Sequence, residues 1–322
     1  MRLGVNRKQL DMIRGKLYIL TGPSAVGKTS ISVRLARELG AEILSCDSLL
    51  VYRGMNIGTA KPSVAEMGGI SHHGFDLVEP SRQYSVGDYV RMAKNAVADI
   101  ERRGKAVLVV GGSGFYLKSF FAPVVDEIAV CQGVREQIRD LDADRGLEGV
   151  LARLAALNPE GFGDLDTKNS RRVARALERC VTSGRSLGEL AKAFAEREEP
   201  YGNYKKQCVC LTRDRDDLRQ RVADRTKGMF SAGLVEEVSS LLKADFETNP
   251  SAAGAIGYRE ALSYIKGRIS REEMEAAINQ NTMALIKKQE TWFRKQIPID
   301  SRVKLAVGDS DTPKNFSWQQ ER

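Results

Sequence analysis

The segment LTGPSAVGKTS, residues 20–30, constrains the fold of this chain more than any other stretch. It contains the pattern G-x-x-x-x-G-K-T from Gly22 to Thr29, placed between an apolar run that predicts a strand and a pattern that predicts a helix. This order is typical of a P-loop, whose backbone N–H groups and helix N-terminus surround a phosphate. Lys28 adds a positive charge, and the Thr29 hydroxyl can bind Mg²⁺. The motif alone leaves open whether the phosphate belongs to a nucleotide or to another ligand.

Two further apolar segments predict strands beside the P-loop strand. Residues 41–48, AEILSCDS, predict a short strand that ends at Asp47, and residues 105–114, KAVLVVGGSG, predict a strand that is buried on both faces. Residues 86–102, which lie between them, have helical periodicity. Alternating strands and helices predict an open parallel α/β sheet, which binds its ligands at the carboxyl ends of the strands. We therefore expect Asp47, the glycine turn at 111–114 and the P-loop to meet at one edge.

A region of different character interrupts this pattern. Residues 128–198 contain long helical segments separated by loops, and they show no strand pattern. A strand pattern returns at residues 207–214, and most of the following sequence is helical. We predict a P-loop α/β catalytic core at residues 1–127 and 199–322, with a helical insertion domain at 128–198. The polar tail of this core is predicted to be mobile.

The composition favours a basic protein with a buried core. The 322 residues include 50 Lys and Arg against 42 Asp and Glu, and the resulting net charge of +8 suggests a polyanionic partner such as nucleic acid. No apolar run is long enough to cross a membrane, and the charged N-terminus lacks the apolar stretch of a signal peptide. The five cysteines and the adjacent His72 and His73 show no metal-ligand spacing, and the role of the histidines stays open. These features predict a cytoplasmic protein with reduced thiols.

Two side chains at the predicted edge of the sheet could act on a ligand. Asp47 could accept a proton or hold a metal through water, although an aspartate at this position could also simply shape a turn. The Ser113 hydroxyl could donate to a phosphate oxygen, or it could be an ordinary turn serine. The strand before it ends in glycine, without the aspartate that organises Mg²⁺ for ATP hydrolysis, which disfavours motor and switch NTPases. A kinase of small molecules stays open, with Asp47 as its base.

Four arginines in the predicted insertion form a basic stripe. Arg171, Arg175 and Arg179 are spaced i, i+4 and i+8, with Arg172 beside them, so a helix would present them along one side. A row of guanidinium groups suits the phosphates of a nucleic acid. The same row is equally typical of a solvated charged face.

The segment KKQETWFRK, residues 287–295, interleaves basic residues with aromatic ones. Arginine and aromatic groups together can stack on unpaired bases, although core packing is the more frequent use of a single tryptophan such as Trp292. Arg221 and Arg225 form a second basic pair, one helical turn apart.

Eight ordered motifs resemble the tRNA dimethylallyltransferase family, whose members are also called tRNA isopentenyltransferases. The resemblance covers most of the chain, and the sequence contains no C-terminal zinc module of the eukaryotic kind, which favours the bacterial type. The P-loop alone occurs in many enzymes, whereas DSLLVYRGMNIGTAKP and KKQETWFRK are much more specific. In chain order the motifs are TGPSAVGKTS, EILSCDSLLVYRGMNIGTAKP, SHHGFDLVEPSRQYSVGDY, VLVVGGSGFYLKSF, NSRRVARALE, RTKGMFSAGLVEEV, AIGYREAL and KKQETWFRKQIP.

The resemblance implies that a dimethylallyl group moves from dimethylallyl diphosphate to N6 of the adenosine 3′ of the tRNA anticodon, with release of pyrophosphate. In this family the P-loop binds that pyrophosphate together with Mg²⁺, and the helical insertion grips the anticodon stem. By resemblance, Asp47 is the general base, Arg225 neutralises the pyrophosphate, and the Ser113 hydroxyl supports the leaving oxygen. The implied pyrophosphate ligands are Gly22, Pro23, Ser24, Ala25, Val26, Gly27, Lys28, Thr29 and Ser30, with Thr29 also on Mg²⁺. The implied tRNA contacts are Asp47, Ser48, Leu49, Leu50, Arg135, Arg171, Arg172, Arg175, Tyr258, Arg259 and Trp292. The sequence does not give the oligomeric state, for which a monomer is the default expectation.

A few positions depart from the family pattern. Ser113 stands where threonine is usual; it retains the hydroxyl but lacks a methyl group that could affect positioning. Ser170 and Arg171 stand where an Asp-Pro pair or similar is frequent, and Asn281 and Met283 stand where Thr-Arg is common. A missing arginine there could weaken contact with RNA or phosphate, and a nearby lysine could compensate.

Three alternative functions compete with this one, and the last of them belongs to a different class of protein. An adenylate isopentenyltransferase performs the same chemistry on a free nucleotide, but a mononucleotide does not need the basic insertion at 128–198. A small-molecule kinase would bind ATP and close a lid of arginines over it. A non-catalytic RNA-binding protein would not need the intact Lys28, Thr29 and Asp47.

Overall fold

One parallel sheet organises the larger part of the molecule. The computed structural model describes residues 15–307. Among these residues, six strands pair in parallel in the order β3-β2-β4-β1-β5-β6. The strands are β1 Lys16–Thr21, β2 Ala41–Cys46, β3 His72–His73, β4 Ala106–Gly111, β5 Lys205–Thr212 and β6 Ser301–Lys304. This sheet confirms the predicted parallel α/β fold, although the sequence did not predict the short edge strands β3 and β6.

Helices lie between these strands along the chain. Those before β5 are α1 Lys28–Leu39, α2 Val64–Met67, α3 Val86–Arg102, α4 Gly114–Lys118, α5 Gln132–Ala156, α6 Ser170–Ser183 and α7 Leu187–Ala195. Those after β5 are α8 Arg215–Ser231, α9 Leu234–Leu242, α10 Pro250–Ala253, α11 Tyr258–Ile265 and α12 Arg271–Gln296. Local sequence sets several of the helix ends. For example, Ser85 and Asp88 form a capping box at the start of α3, and α1 ends at Gly40 in the left-handed conformation.

Apolar layers on both faces hold the sheet between helices. Leu17 and Ile19 of β1 pack with residues of α3, α4 and α12, whereas Leu20 packs with residues of α1 on the opposite face. This alternation follows from the period of two along a strand. A further apolar cluster packs Tyr52 and Met55, in the chain that follows β2, against α9, α11 and α12. The cluster therefore fixes the segment that follows Asp47.

The carboxyl ends of β1, β4 and β2 lie level at one edge of the sheet. Gly111 at the end of β4 pairs with Thr21 on one side and with Cys46 on the other. A Cβ atom on Gly111 would lie 2.1 Å from the Cys46 carbonyl oxygen, so only glycine allows this close approach. The P-loop, Ser113 and Asp47 follow these three strand ends directly. The prediction that they meet at one edge is confirmed.

Residues Pro123–Pro200 form a separate compact helical unit, while the remaining described residues form the unit that contains the sheet. The helical unit is built from α5, α6 and α7 around a core that includes Leu154 and Leu177. Helix α5 has a non-helical conformation at Gly146, which marks a kink. Asn158 links the loop after α5 to α7, because its side chain donates to the Leu154 carbonyl oxygen and accepts the N–H of Leu187.

Within residues 15–307, no helix is both long enough and apolar enough to cross a membrane. The five cysteines are free thiols; Cys131 is exposed and the other four are buried. The predictions about the charged N-terminus and the polar C-terminal tail concern residues 1–14 and 308–322, which lie outside the described part of the chain.

Candidate active site

The P-loop joins β1 to α1 through a turn that needs unusual backbone angles. Ala25 and Gly27 have positive φ values of 62° and 102°. Turns with such angles direct successive N–H groups towards one concavity, which suits an anion. A Cβ on Gly22 would lie 2.7 Å from the Leu211 carbonyl oxygen, so this position also requires glycine. The loop ends at Lys28, where α1 begins and its N–H groups are free of intrahelical partners.

Lys28 lies across the P-loop. Its Nζ donates to the carbonyl oxygens of Gly22 and Pro23, at 2.9 Å each. Burial of the ammonium group lowers the pKa of Lys28 from 10.5 to about 8; the Asp47 carboxylate opposes this shift, and Arg225 adds to it. An anion bound in the loop would favour the charged form that burial disfavours.

Helix α8 contributes two arginines beside the loop. Arg221 Nε donates to the Ala25 carbonyl oxygen at 2.8 Å, and Arg225 Nη2 donates to the Thr59 carbonyl oxygen at 3.1 Å. Burial lowers the pKa of Arg225, and the Asp47 carboxylate partly offsets that effect. Sequence reasoning assigned Arg225 to this site but did not assign Arg221. Their i, i+4 spacing was the signal that could have placed both.

Asp47 and Ser113 lie in neighbouring turns, as the sequence predicted. Asp47 Oδ1 accepts the N–H of Leu49 at 2.9 Å, which fixes the carboxylate within its own turn. The Ser113 hydroxyl accepts the N–H of Ser48 at 2.9 Å and donates to the Ser48 hydroxyl at 3.2 Å. The Ser113 N–H donates to the Cys46 carbonyl oxygen, so the two turns are also joined through the backbone.

Two cavities open on this edge of the sheet. The first, which we call the aromatic chamber, has a volume of about 620 Å³, and its wall includes Tyr84, Ser113, Phe115, Tyr116 and Trp292. The second, the P-loop chamber, has a volume of about 730 Å³, and its wall includes Ala25, Lys28, Thr29, Phe75 and Arg221. Four residues line both: Ser24, Asp47, Thr59 and Arg225. A carboxylate and a partly buried guanidinium group therefore lie where the two chambers adjoin.

Glu237 of α9 holds the segment that leads to Thr59. Its carboxylate accepts the N–H groups of residues 56, 57 and 58, at 3.0, 2.8 and 3.3 Å. It also accepts the hydroxyl of Tyr258 at 2.6 Å. The Tyr258 side chain is fully buried, so the prediction that it contacts tRNA is wrong: its ring offers no surface to RNA. Sequence reasoning missed Glu237, because its partners are backbone groups about 180 residues away.

Trp292 and Phe115 form an aromatic pair in the wall of the aromatic chamber. Their ring centroids are 4.9 Å apart, and the rings are tilted by 55°. The Trp292 indole packs on Gly114, where a Cβ would lie 2.7 Å from its Nε1 atom. Phe115 is 56% exposed, and the sequence did not single it out. Trp292 therefore packs against the turn after β4 and also lines a cavity.

The other predicted tRNA contacts of the sheet-containing unit occupy different places. Ser48 and Leu49 line the aromatic chamber, whereas Leu50 lines the P-loop chamber. Arg259 is outside both linings, and its Nε donates to Glu260 at 2.6 Å. The structure thus brings Ser48, Leu49 and Trp292 together, but not Arg259.

The arginine stripe of the helical unit is partly neutralised. Arg175 forms an ion pair with Glu178 at 2.9 Å, and Arg179 forms one with Asp126. Both pairs lie within the helical unit, so only part of the stripe retains uncompensated charge. All four predicted tRNA contacts of the helical unit are exposed: Arg135, Arg171, Arg172 and Arg175.

The P-loop chamber contains oxygen ligands of the kind that Mg²⁺ prefers. The Thr29 and Ser30 hydroxyls and the Asp47 carboxylate all line it. Mg²⁺ usually retains waters and binds through one or two protein oxygens together with substrate phosphates, so this small donor set fits. Within residues 15–307, no cluster of three or more His, Cys, Asp or Glu residues could hold a metal by itself.

The parallel sheet, the P-loop and the aromatic chamber that adjoins the P-loop chamber define an α/β protein of the P-loop class. Comparison with known proteins is more specific, since residues 50–296 match the IPP transferase family. The chain belongs to this family. It is 48% identical over 292 residues to the tRNA dimethylallyltransferase of Opitutus terrae, with 91% of this chain and 94% of that protein covered. It is 38% identical over 284 residues to the enzyme of the same name from Bacillus velezensis, with 88% and 89% covered.

Solved structures agree with the sequence relatives. The tRNA isopentenylpyrophosphate transferase of Bacillus halodurans has a TM-score of 0.65 and 31% identity, with 90% of each chain covered. A eukaryotic dimethylallyltransferase, described as acting on tRNA, has a TM-score of 0.76 and 25% identity, with 89% of this chain and 73% of that chain covered. The family predicted from the eight motifs is confirmed.

Proposed function

We propose that this protein transfers a dimethylallyl group from dimethylallyl diphosphate to N6 of the adenosine 3′ of the anticodon in tRNA, releasing pyrophosphate. One observation carries the proposal: Asp47 and Arg225 line both the P-loop chamber and the aromatic chamber. A diphosphate in the P-loop chamber and an adenine in the aromatic chamber would meet at these two side chains. The names of the relatives, tRNA dimethylallyltransferase and tRNA isopentenylpyrophosphate transferase, support the transfer of a prenyl group to tRNA.

The P-loop chamber would stabilise the leaving group. An allylic diphosphate reacts through carbocation character at C1, while negative charge develops on the departing pyrophosphate. Lys28 and Arg225 are partly buried cations, and Arg221 lies beside the same loop. Preorganised charges in a site of low dielectric are usually the largest single contribution to catalysis. Thr29 would hold Mg²⁺ on the pyrophosphate, and the ion would supply further positive charge.

The aromatic chamber would receive the nucleophile. The exocyclic amine of adenine is a weak nucleophile, because its lone pair is delocalised into the ring, but its proton becomes acidic as the new bond forms. Asp47 would accept that proton. The Ser113 hydroxyl would donate to the leaving oxygen. To do so, it must give up the hydrogen bond that it donates to the Ser48 hydroxyl. The two chambers would also hold C1 of the donor and N6 of the adenine in line, and this alignment would further accelerate the reaction.

The tRNA would enter with its target adenosine turned out of the loop, because a stacked base cannot reach a closed chamber. Aromatic side chains such as Phe115 and Trp292 suit unstacked bases. The exposed arginines of the helical unit suit the backbone of the anticodon stem. We propose that a monomer acts, in the cytoplasm where tRNA is found.

The test is transfer of labelled dimethylallyl diphosphate to undermodified tRNA in the presence of Mg²⁺. We expect label in the adenosine 3′ of the anticodon and none in AMP. Label in AMP but not in tRNA would assign the protein to the free-nucleotide enzymes. No transfer to either acceptor, combined with tight ATP binding, would contradict the proposal at its centre.

A further inference from the structure

Gln289 of α12 joins the turns that follow β1 and β4. Its Oε1 atom accepts both the N–H and the hydroxyl of Ser24, at 2.9 and 3.2 Å. Its Nε2 atom donates to the Gly112 carbonyl oxygen at 3.1 Å. Both ends of one amide are thus used on two turns, which lie 265 and 177 residues away along the chain.

The turn after β4 leaves room for this amide. A Cβ on Gly112 would lie only 2.9 Å from Gln289 Nε2, and 3.1 Å from the Gly22 carbonyl oxygen. A larger residue at 112 would therefore displace Gln289 from its position against the P-loop. The position of the Gln289 amide therefore depends on Gly112, because the amide occupies the space that a side chain at residue 112 would fill.

The hydrogen bonds of Gln289 connect the wall of the aromatic chamber with the wall of the P-loop chamber. Gln289 and Gly112 line the aromatic chamber, whereas Ser24 lines both chambers and is followed by the P-loop residues of the P-loop chamber. The Ser24 N–H is directed to Gln289, which anchors the start of the loop. Without that anchor the loop would have to become ordered when a diphosphate binds, and ordering costs affinity.

We propose that Gln289 is a positioning residue that holds the P-loop, through Ser24, in the conformation that binds the diphosphate. The proposal rests on the proposed function, because it concerns the same diphosphate. The proposal does not require Gln289 to contact either substrate directly. Its effect is expected mainly on the affinity for the diphosphate.

The first experiment replaces the amide by an apolar side chain of similar length, Gln289→Met. The matched control is Gln296→Met on the same helix, because the Gln296 amide oxygen accepts a hydrogen bond from Lys118 at 2.8 Å and the residue lines neither chamber. The readouts are thermal unfolding, KM for dimethylallyl diphosphate, KM for tRNA, and the Kd of inorganic pyrophosphate with Mg²⁺. The last of these does not depend on turnover.

For Gln289→Met we expect KM for the diphosphate and Kd for pyrophosphate to rise together by about tenfold, the effect of losing a small set of neutral hydrogen bonds. KM for tRNA should change much less, and Gln296→Met should match the wild type. Gln289→Met with wild-type pyrophosphate affinity would overturn the proposal, whether or not the variant loses thermal stability.

A second variant, Gln289→Glu, keeps the size of the side chain and guards against misfolding of the first. Below the pKa of the new carboxyl group, the protonated acid can again donate to Gly112 while accepting from Ser24. The ratio of its pyrophosphate Kd to that of the wild type should therefore fall towards one as the pH is lowered. A ratio that stays high at low pH would overturn the proposal.

The two proposals fail in different ways. If the wild-type protein transfers no dimethylallyl group to tRNA, the proposed function fails, while the pyrophosphate measurements still test Gln289. If the wild type is active and Gln289→Met behaves like Gln296→Met, only the positioning role fails.

Discussion

The P-loop chamber and the helical unit use positive charge in opposite ways. Lys28 and Arg225 are partly buried, and burial of the charged group lowers the pKa of each. Arg171 and Arg172 remain exposed on α6. A buried cation interacts strongly with an anion, because the surrounding dielectric is low, whereas an exposed one is screened by water and salt. Buried cations can therefore stabilise charge at one point of a reaction, while exposed arginines contribute mainly to affinity for a polyanion.

The largest expected effect is at Asp47, the carboxylate that interacts with both partly buried cations. Asp47→Asn keeps an oxygen acceptor for the Leu49 N–H, so the turn should persist. It removes the proton acceptor, and kcat should fall by roughly 10²–10⁴. Binding of tRNA should be nearly unchanged in a filter-binding measurement. The control is Asp99→Asn, an aspartate paired with Arg102 on the outer side of α3. Activity within a few-fold of the wild type for Asp47→Asn would remove the general base from the proposal.

The next effect tests the partly buried cations themselves. Arg225→Gln removes a charge next to both chambers, and kcat should fall by roughly 10²–10³, the range for losing one preorganised donor. The same variant should be no less stable to heat than the wild type, because burial already disfavours the charged form of Arg225. Arg221→Gln, at the P-loop chamber alone, should cost less activity. Equal losses for the two variants would show that the position of Arg225 between the chambers is unimportant.

Much of this arrangement could be predicted from the sequence. The glycine pattern from Gly22 to Thr29 dictates the turn between β1 and α1, and apolar runs mark β2 and β4 because they are buried. Parallel strands place their carboxyl ends together, so Asp47 and Ser113 could be assigned to one edge before the structure was known. These predictions depended on local pattern and on general rules of sheet topology.

The remaining features depend on contacts that no local pattern shows. Gln289 and Glu237 act on backbone groups of distant segments, and their side chains carry no spacing signal. Tyr258 lies in a recognisable motif, yet its ring is buried against the same distant segment. The strand β3 is only two residues long, and its pairing with β2 comes from the sheet rather than from its own sequence.

The pH dependence should separate the two uses of charge. Because the pKa of Lys28 is lowered to about 8, its cation is present below that pH and is lost as the pH rises through it. With dimethylallyl diphosphate as the varied substrate, kcat/KM should therefore be level below about pH 8 and fall about tenfold per pH unit above it. KM for tRNA should not follow the same curve, because it does not depend on the charge of Lys28. Lys28→Arg should move the fall to higher pH; an unshifted curve would assign it to another group.

The smallest effect belongs to the exposed arginines. The double change Arg171→Ser and Arg172→Ser should raise KM for tRNA only a few-fold at low salt. The slope of log affinity against log salt should fall by about one for each phosphate contact that is lost. Turnover of the bound complex should be unchanged, because these side chains lie outside the linings of both chambers. The control is Arg91→Ser with Arg102→Ser, two exposed arginines of α3 that are paired with aspartates. If this control weakens tRNA binding as much as the test variant does, the effect comes from net charge alone, and α6 is not a specific contact for the anticodon stem.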